Sequence, residues 1–267
     1  MSGTLYVVAT PLGNLGDLSP RAADTLKRVA VVAAEDTRHS KPLLTHAGSH
    51  AELVSLHAHS SDRALERVLR ILYDGRDVAL ITDAGTPVIS DPGVDLVAHA
   101  RQRGIQVVTI PGPTAVAASL SVSGIGGDRY LFLGFLPRKG SDRRRLLVTA
   151  GASEWTVVLF EAPNRVTQLL ADLIEVCGPE RPVAVSRELT KVFEETRSGT
   201  LQELSEHYAE TPARGEVTVV LAGTGKPRVE EPPVDPAERA QILLSQGMSR
   251  KDAADRLAEE TGISRNS

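Results

Sequence analysis

Short runs of β-branched and aliphatic residues alternate along the chain with stretches whose apolar positions recur every three to four residues. The runs "LYVVA" (5–9), "VAVVAAE" (29–35), "DVALIT" (77–82) and "IQVVTI" (105–110) are apolar almost throughout. Unbroken runs of this length mark strands covered on both faces, as in a parallel sheet. Between them, "SPRAADTLKRVA" (19–30) opens with Ser19 as N-cap and Pro20 at the first helical position, and "RALERVLRILYDG" (63–75) closes on Gly75. Both read as helices with marked ends. The alternation predicts an α/β domain with a largely parallel sheet.

The pattern restarts after "RYLFLGFLPRKGSDRRR" (129–145). Here "WTVVLFEA" (155–162), "RPVAVSRE" (181–188), "KVFEETRSG" (191–199) and "EVTVVLAG" (216–223) read as strands with fewer helices between them. The pair 181–188 and 191–199 is close enough for an antiparallel hairpin, so this half is mixed α+β. The expected organisation is an N-terminal α/β domain over 1–136, a C-terminal α+β domain over 137–224, a Pro- and charge-rich linker over 225–236, and a helical tail over 237–267. The tail reads as one helix, a Gly-Met-Ser turn and a second helix capped by Ser249. It resembles a helix-turn-helix, but no reading helix follows Gly262, which leaves a plain helical tail.

Composition narrows the picture. A chain of 267 residues, 41% of them hydrophobic, can bury a sizeable core. Its formal charge of -4, from 30 basic and 34 acidic residues, means that a nucleic-acid partner must be met by a local patch. No stretch approaches the roughly 18 apolar residues of a membrane span, and no Lys or Arg precedes the first apolar run, so a soluble, cytoplasmic protein with no membrane partner is expected. The single cysteine, Cys177, has no intrachain partner and reads as a buried thiol at a helix end.

Three strand ends carry unusual loads of glycine and proline: "TPLGNLGDLSP" (10–20), "TDAGTPVISDPG" (82–93) and "PGPTA" (111–115). In an open parallel sheet, ligands settle outside the carboxyl ends of the strands, so three such loops on one edge predict a pocket built from main chain. Gly13 and Gly16, followed by Glu35 and Asp36, suggest a dinucleotide site. Pro11 occupies the turn, however, and the helix starts only at Ser19–Pro20, so that fingerprint fails. A triphosphate site would need a Gly-Lys-Ser/Thr element, which is absent. In the second loop, Asp91 to Gly93 read as the start of the next helix.

In their order and spacing, "ATPLGNLGDLSPRA", "AAEDTRHS", "DAGTPVISDPG", "PGPTA", "LGFLPRKG", "RELTKVFEE" and "RGEVTVVLAG" resemble the bacterial small-subunit ribosomal RNA 2′-O-ribose methyltransferases, in the tetrapyrrole methylase superfamily. The match runs from residue 4 to 223. The resemblance implies a two-domain tetrapyrrole-methylase-like fold, paired as a homodimer, with S-adenosylmethionine folded in the cleft between the domains. It implies methyl transfer to a cytidine ribose in 16S ribosomal RNA of the 30S subunit. By the same resemblance, Asp83, Ala84, Gly85, Thr86 and Pro87, together with Pro111, Gly112, Pro113, Thr114 and Ala115, hold the cofactor. Pro11 and Gly13 face the same cleft. A precorrin methyltransferase and a non-catalytic ribosome-binding factor are the competing readings.

A ribose hydroxyl is a poor nucleophile until its proton leaves, and Glu35 and Asp36 stand at a strand end beside the expected cleft. Either acid is placed to accept that proton, while Asp36 is equally suited to cap the next helix. Arg38 can meet a phosphate or pair with Asp36. The stretch "RKGSDRRR" sets Arg138, Lys139, Arg143, Arg144 and Arg145 against one acid, Asp142, and is the strongest candidate for a phosphate-binding patch. Arg187 and Lys191 are candidates for RNA or the cofactor carboxylate, or for structural pairing with Glu188. In "FEAPNR", Glu161 and Arg165 keep the family's shape. His57 and His59 have no third ligand at metal spacing, so no metal is expected.

Overall fold

The computed structural model describes residues 2–56, 62–225, 243–245 and 248–261. His57, His59 and most of the expected linker and first tail helix lie outside the described residues. Residues 1–224 form one compact unit and 225–267 another.

The first half of the larger unit runs β1 (Thr4–Val8), α1 (Pro20–Arg28), β2 (Val31–Ala34), α2 (Thr37–Ala47), β3 (Glu52–Ser55), α3 (Asp62–Tyr73), β4 (Val78–Ile81), α4 (Val94–Gln102), β5 (Gln106–Ile110) and α5 (Ala115–Ser123). The five strands form one sheet in the order β3-β2-β4-β1-β5, every pair parallel. Alternate residues of each inner strand feed different cores. Val31, Ala33, Val78 and Leu80 belong to one apolar cluster, whereas Val32, Ala34, Ala79 and Ile81 belong to another. Burial on both faces is the physical reason for the unbroken apolar runs. In α1 the Ser19 hydroxyl accepts the Ala22 N–H at 3.1 Å, with Pro20 at the first turn, as the sequence predicts.

The second half runs β6 (Tyr130–Phe135), α6 (Ser141–Ala152), β7 (Thr156–Glu161), α7 (Val166–Cys177), β8 (Pro182–Arg187), β9 (Glu195–Thr200), α8 (Leu201–Glu210) and β10 (Val217–Leu221). Its sheet has the order β6-β7-β10-β8-β9, with only β6 and β7 parallel. β6–α6–β7 is a crossover unit, and the hydrogen bonds of β6 commit Tyr130–Phe135 to the second sheet. The hairpin of β8 and β9 is antiparallel as expected, but β9 begins at Glu195 rather than at 191. Glu188 and Thr190 both adopt positive φ, 52° and 67°, so the chain turns twice before it can pair. The tip of that turn carries Val192 and Phe193, 93% and 71% exposed.

In the smaller unit, α9 (Arg250–Thr261) is capped by Ser249, whose hydroxyl accepts the Asp252 N–H at 3.2 Å. Among the described residues no helix is long and apolar enough to cross a membrane.

Candidate active site

The strand order puts β1 between β4 and β5, so the loops that leave their carboxyl ends lie side by side. They are tied together by main chain. Thr10 and Gly85 exchange backbone hydrogen bonds of 2.8 and 3.1 Å, and the Thr10 hydroxyl reaches the carbonyls of Thr82 and Gly85. The Thr86 hydroxyl donates to the Pro113 carbonyl at 3.1 Å, joining the second loop to the third. The second loop is bent sharply: Gly85 and Gly93 have φ of 84° and 122°, and Val88 and Ser90 stand at 77° and 63°. Positive φ is costly for a β-branched residue and marks a backbone held by its surroundings. Gly134 lets that loop approach β6, since a Cβ there would lie 2.7 Å from the Ser90 hydroxyl.

Between the two sheets lies a cavity of about 310 Å³, in the range of roughly 300–1,000 Å³ typical of small-molecule sites. Asp83, Ala84, Gly85, Thr86, Thr114 and Ala115 line it, as expected from the sequence. Pro87, Pro111, Gly112 and Pro113 are absent from the lining. Pro11 and Gly13 instead line a smaller neighbouring cavity of about 120 Å³, and Leu12 between them faces the larger one. From the second sheet come Phe135, Phe160, Leu189 and the segment Gly215–Thr218, which sequence reasoning did not select. The charged residues of the lining are Asp83, Asp91, Glu161 and Glu216, all of them acids.

Pairing distinguishes these acids. Asp83 accepts the backbone N–H of Asp36 at 3.2 Å and faces His39 Nδ1 at 3.1 Å. Glu161 is fully buried, accepts the Ala162 N–H and is clasped by Arg165. Glu216 binds the Lys191 ammonium at 2.9 Å. Burial, aided by the charges of Glu35, Asp83 and Glu216 and opposed by the nearby Thr82 hydroxyl, pushes the Asp91 carboxyl up to about 6.

The acids expected to act on substrate have other duties. Asp36 is the N-cap of α2, accepting the Arg38 N–H at 2.8 Å while its two oxygens hold the Arg38 guanidinium. The Arg38 hydrogen bond keeps that carboxyl well below the usual range, which makes it a weak base. Glu35 accepts the Thr82 hydroxyl at 3.1 Å and is not part of the cavity lining.

The basic candidates separate as well. Arg138, Lys139, Arg144 and Arg145 are exposed. Arg143 departs from the expected RNA-facing role. It is 8% exposed, pairs with Asp172 and donates to the Pro137 carbonyl at 3.1 Å, because its place on α6 points it at α7. Arg187 donates to Glu195 at 2.7 Å. Lys191 bridges Glu188 and Glu216, both at 2.9 Å, over the face of Gly13. Burial works against its charge, but the two carboxylates outweigh it and hold the ammonium above its usual range. Both cations are engaged by carboxylates within the fold. Cys177 ends α7 half-buried, and burial pushes its thiol up. Among the described residues, no group of three or more His, Cys, Asp or Glu is arranged to hold a metal ion.

Two sheets joined over a loop-walled cavity are the architecture of the tetrapyrrole methylases, and residues 4–205 match the family described as Tetrapyrrole (Corrin/Porphyrin) Methylases. The methyltransferase CobJ superposes with a TM-score of 0.65 at 17% identity, over 84% of this chain and 95% of that one. Uroporphyrin-III C-methyltransferase from Thermus thermophilus, solved with S-adenosylhomocysteine, gives 0.60 at 19% identity, over 82% and 97%. Ribosomal RNA small subunit methyltransferase I of Pseudomonas aeruginosa is 46% identical over 267 residues, 99% of this chain and 95% of the relative. Its counterpart in Xylella fastidiosa is 43% identical over 265 residues, 98% and 96% of the two chains. The chain belongs to the tetrapyrrole methylases and, within them, to the family of ribosomal RNA small subunit methyltransferase I.

Proposed function

We propose that the chain transfers the methyl group of S-adenosylmethionine to the ribose 2′-hydroxyl of a cytidine in the 16S ribosomal RNA of the 30S subunit. The reading is carried by the near-full-length likeness to ribosomal RNA small subunit methyltransferase I, and the cavity's chemistry agrees with it. S-adenosylmethionine bears a sulfonium and an ammonium against one carboxylate, and a lining whose charges are all acidic suits a cation. Phe135, Phe160 and Leu189 offer apolar surface for its purine, while Ala84–Thr86 and the first N–H groups of α5 offer main-chain partners. When bound, the cofactor supplies an electrophilic methyl group. The chain's task is to align a ribose oxygen with it, which contributes several kcal/mol to lowering the barrier.

The phosphates of the RNA are met outside the cavity, by exposed Arg138, Lys139, Arg144 and Arg145. The family resemblance extends the proposal to a homodimer acting in the cytoplasm. The near-full-length relatives at 43–46% identity are ribosomal RNA methyltransferases, whereas the tetrapyrrole methyltransferases match at 17–19%, which favours RNA over a precorrin. The test uses tritiated-methyl S-adenosylmethionine and unmodified 30S subunits, followed by alkaline hydrolysis and mass mapping. The expected product is one labelled cytidine whose 3′ linkage resists alkali. Label on a base, or transfer only to a tetrapyrrole, overturns the proposal.

A further inference from the structure

We infer that the smaller cavity is the acceptor pocket of the reaction: it takes the cytosine ring of the target nucleotide, and Asp83 reads the exocyclic amino group of that ring. The inference rests on the function proposed above and assigns within it the group that selects cytidine. The smaller cavity lies over the carboxyl ends of β1, β4 and β2, lined by Thr10 and Leu12 after β1, Thr82 and Asp83 after β4, and His39 and Ser40 on α2. Leu12 and Asp83 also line the larger cavity, so the two spaces adjoin across a shared wall. Methyl transfer needs the acceptor held beside the cofactor and aligned with it, and a nucleotide seated here has its ribose at that wall.

Size and surface suit one flat ring. At about 120 Å³ the cavity is too small for S-adenosylmethionine, but it is close to the roughly 150 Å³ that admits a benzene molecule. A pyrimidine matches it better than a purine. Leu12, Leu15, Pro42 and Leu43 give it apolar sides, and Leu15 is 39% exposed. Bases of single-stranded RNA are recognised by splaying them out, packing their faces and hydrogen-bonding their edges.

The polar side chains of the lining offer acceptors. The Thr10 hydroxyl donates to the Thr82 and Gly85 carbonyls, Ser40 to the Asp36 carbonyl at 3.0 Å, and Thr82 to Glu35. Their protons are spent inside the fold, and their oxygens keep lone pairs. Asp83 accepts the Asp36 N–H on Oδ1 at 3.2 Å, while His39 Nδ1 stands 3.1 Å from Oδ2, so the carboxylate is fixed from two sides. A carboxylate has about four acceptor sites, which leaves one on each oxygen, and the Asp83 side chain is 35% exposed. The amino group of cytosine is the donor that Asp and Glu recognise. Uracil carries a carbonyl oxygen in its place and would set acceptor against acceptor. An acceptor-lined pocket the size of one ring therefore selects the amino-bearing pyrimidine. His39 is a positioning residue that acts through Asp83.

The test is single-turnover methylation of 30S subunits reconstituted with cytidine, uridine or an amino-free pyrimidinone nucleotide at the mapped position. The natural chain is compared with Asp83→Asn, and calorimetry follows S-adenosylmethionine binding to both. The natural chain is expected to favour cytidine over uridine on the order of 100-fold, with the amino-free ring in between. An asparagine amide can accept from an amino group or donate to a carbonyl. Asp83→Asn is therefore expected to bring the cytidine and uridine rates within about fivefold of each other, chiefly by gaining on uridine. Asp83 also lines the larger cavity, but weaker cofactor binding lowers both rates alike and leaves their ratio unchanged. Should the natural chain methylate cytidine and uridine subunits equally well, the pocket does not read the base and the inference fails, whether or not Asp83→Asn folds. It fails as well if folded Asp83→Asn keeps the natural ratio. Failure of the natural chain to methylate any of the subunits while it binds cofactor overturns the proposed function instead, and the acceptor pocket with it.

Discussion

Arg143 illustrates what a single residue's surroundings do to its reading. Among the cations of "RKGSDRRR" it is the buried one, with its Nε 2.9 Å from Asp172 and a further bond to the Pro137 carbonyl. Truncation to alanine would strand a largely buried carboxylate, and removing one partner of such a pair costs on the order of 3 kcal/mol. We expect Arg143→Ala to lower the urea midpoint accordingly while leaving RNA affinity at fixed salt unchanged. Asp36 gives the same lesson in reverse. Its position beside a strand end suits a catalytic acid, but its oxygens are spent on the first turn of α2 and on Arg38. The sequence "AAEDTR" allows both readings, and in the fold Asp36 caps α2.

At the scale of elements, the segment leading into α6 is where nucleic-acid binding is tested. Arg138, Lys139 and Arg144 stand exposed around the start of the helix. Basic charge there works against the helix dipole, so helix stability does not explain it. Reversing all three to glutamate should weaken RNA binding and reduce the slope of log affinity against log salt by about one for each phosphate no longer neutralised. Filter binding at several salt concentrations measures both, and an unchanged slope would remove the patch from the interface. The loop after β4 is the second informative element. Its glycines and prolines identified it as a wall of the cavity, but Asp91 read as no more than the start of a helix. The structure begins α4 at Val94, with Gly93 as N-cap, which leaves Asp91 outside the helix and facing the cavity.

For the whole molecule, the Asp91 cluster couples stability to pH with a definite sign. A carboxyl raised from 3.8 to about 6 in the folded chain favours folding in its protonated form. That contribution is full below pH about 3.8 and is lost as pH rises through about 6. Asp91→Asn, which cannot ionise, should therefore unfold at a higher temperature than the natural chain above pH 6, with the difference closing below pH 4. Thermal unfolding followed by circular dichroism at pH 4, 5, 6 and 7.5 checks this. A variant that is uniformly less stable would mean that Asp91 contributes packing rather than buried charge. A gain in stability on losing the acid is what an active site under electrostatic strain predicts.

The sequence by itself determined the alternation of strands and helices, the parallel character of the first sheet, the β8–β9 hairpin and the three loops that wall the cavity. Each is encoded locally, in apolar periodicity, in Ser-Pro and glycine caps, or in residues that forbid regular structure. The family likeness was legible in the same motifs. Tertiary structure decided the rest: that β6 joins the second sheet, that Leu12 rather than Gly13 faces the larger cavity, that Arg143 turns inward, and that Asp91 is the lining acid without an ion pair among the described residues. These depend on partners far away in the chain, such as Asp172 for Arg143 and Glu35 for Thr82, 29 and 47 residues distant. Charge and burial are properties of what surrounds a side chain, and no local pattern specifies which distant groups the fold will bring against it.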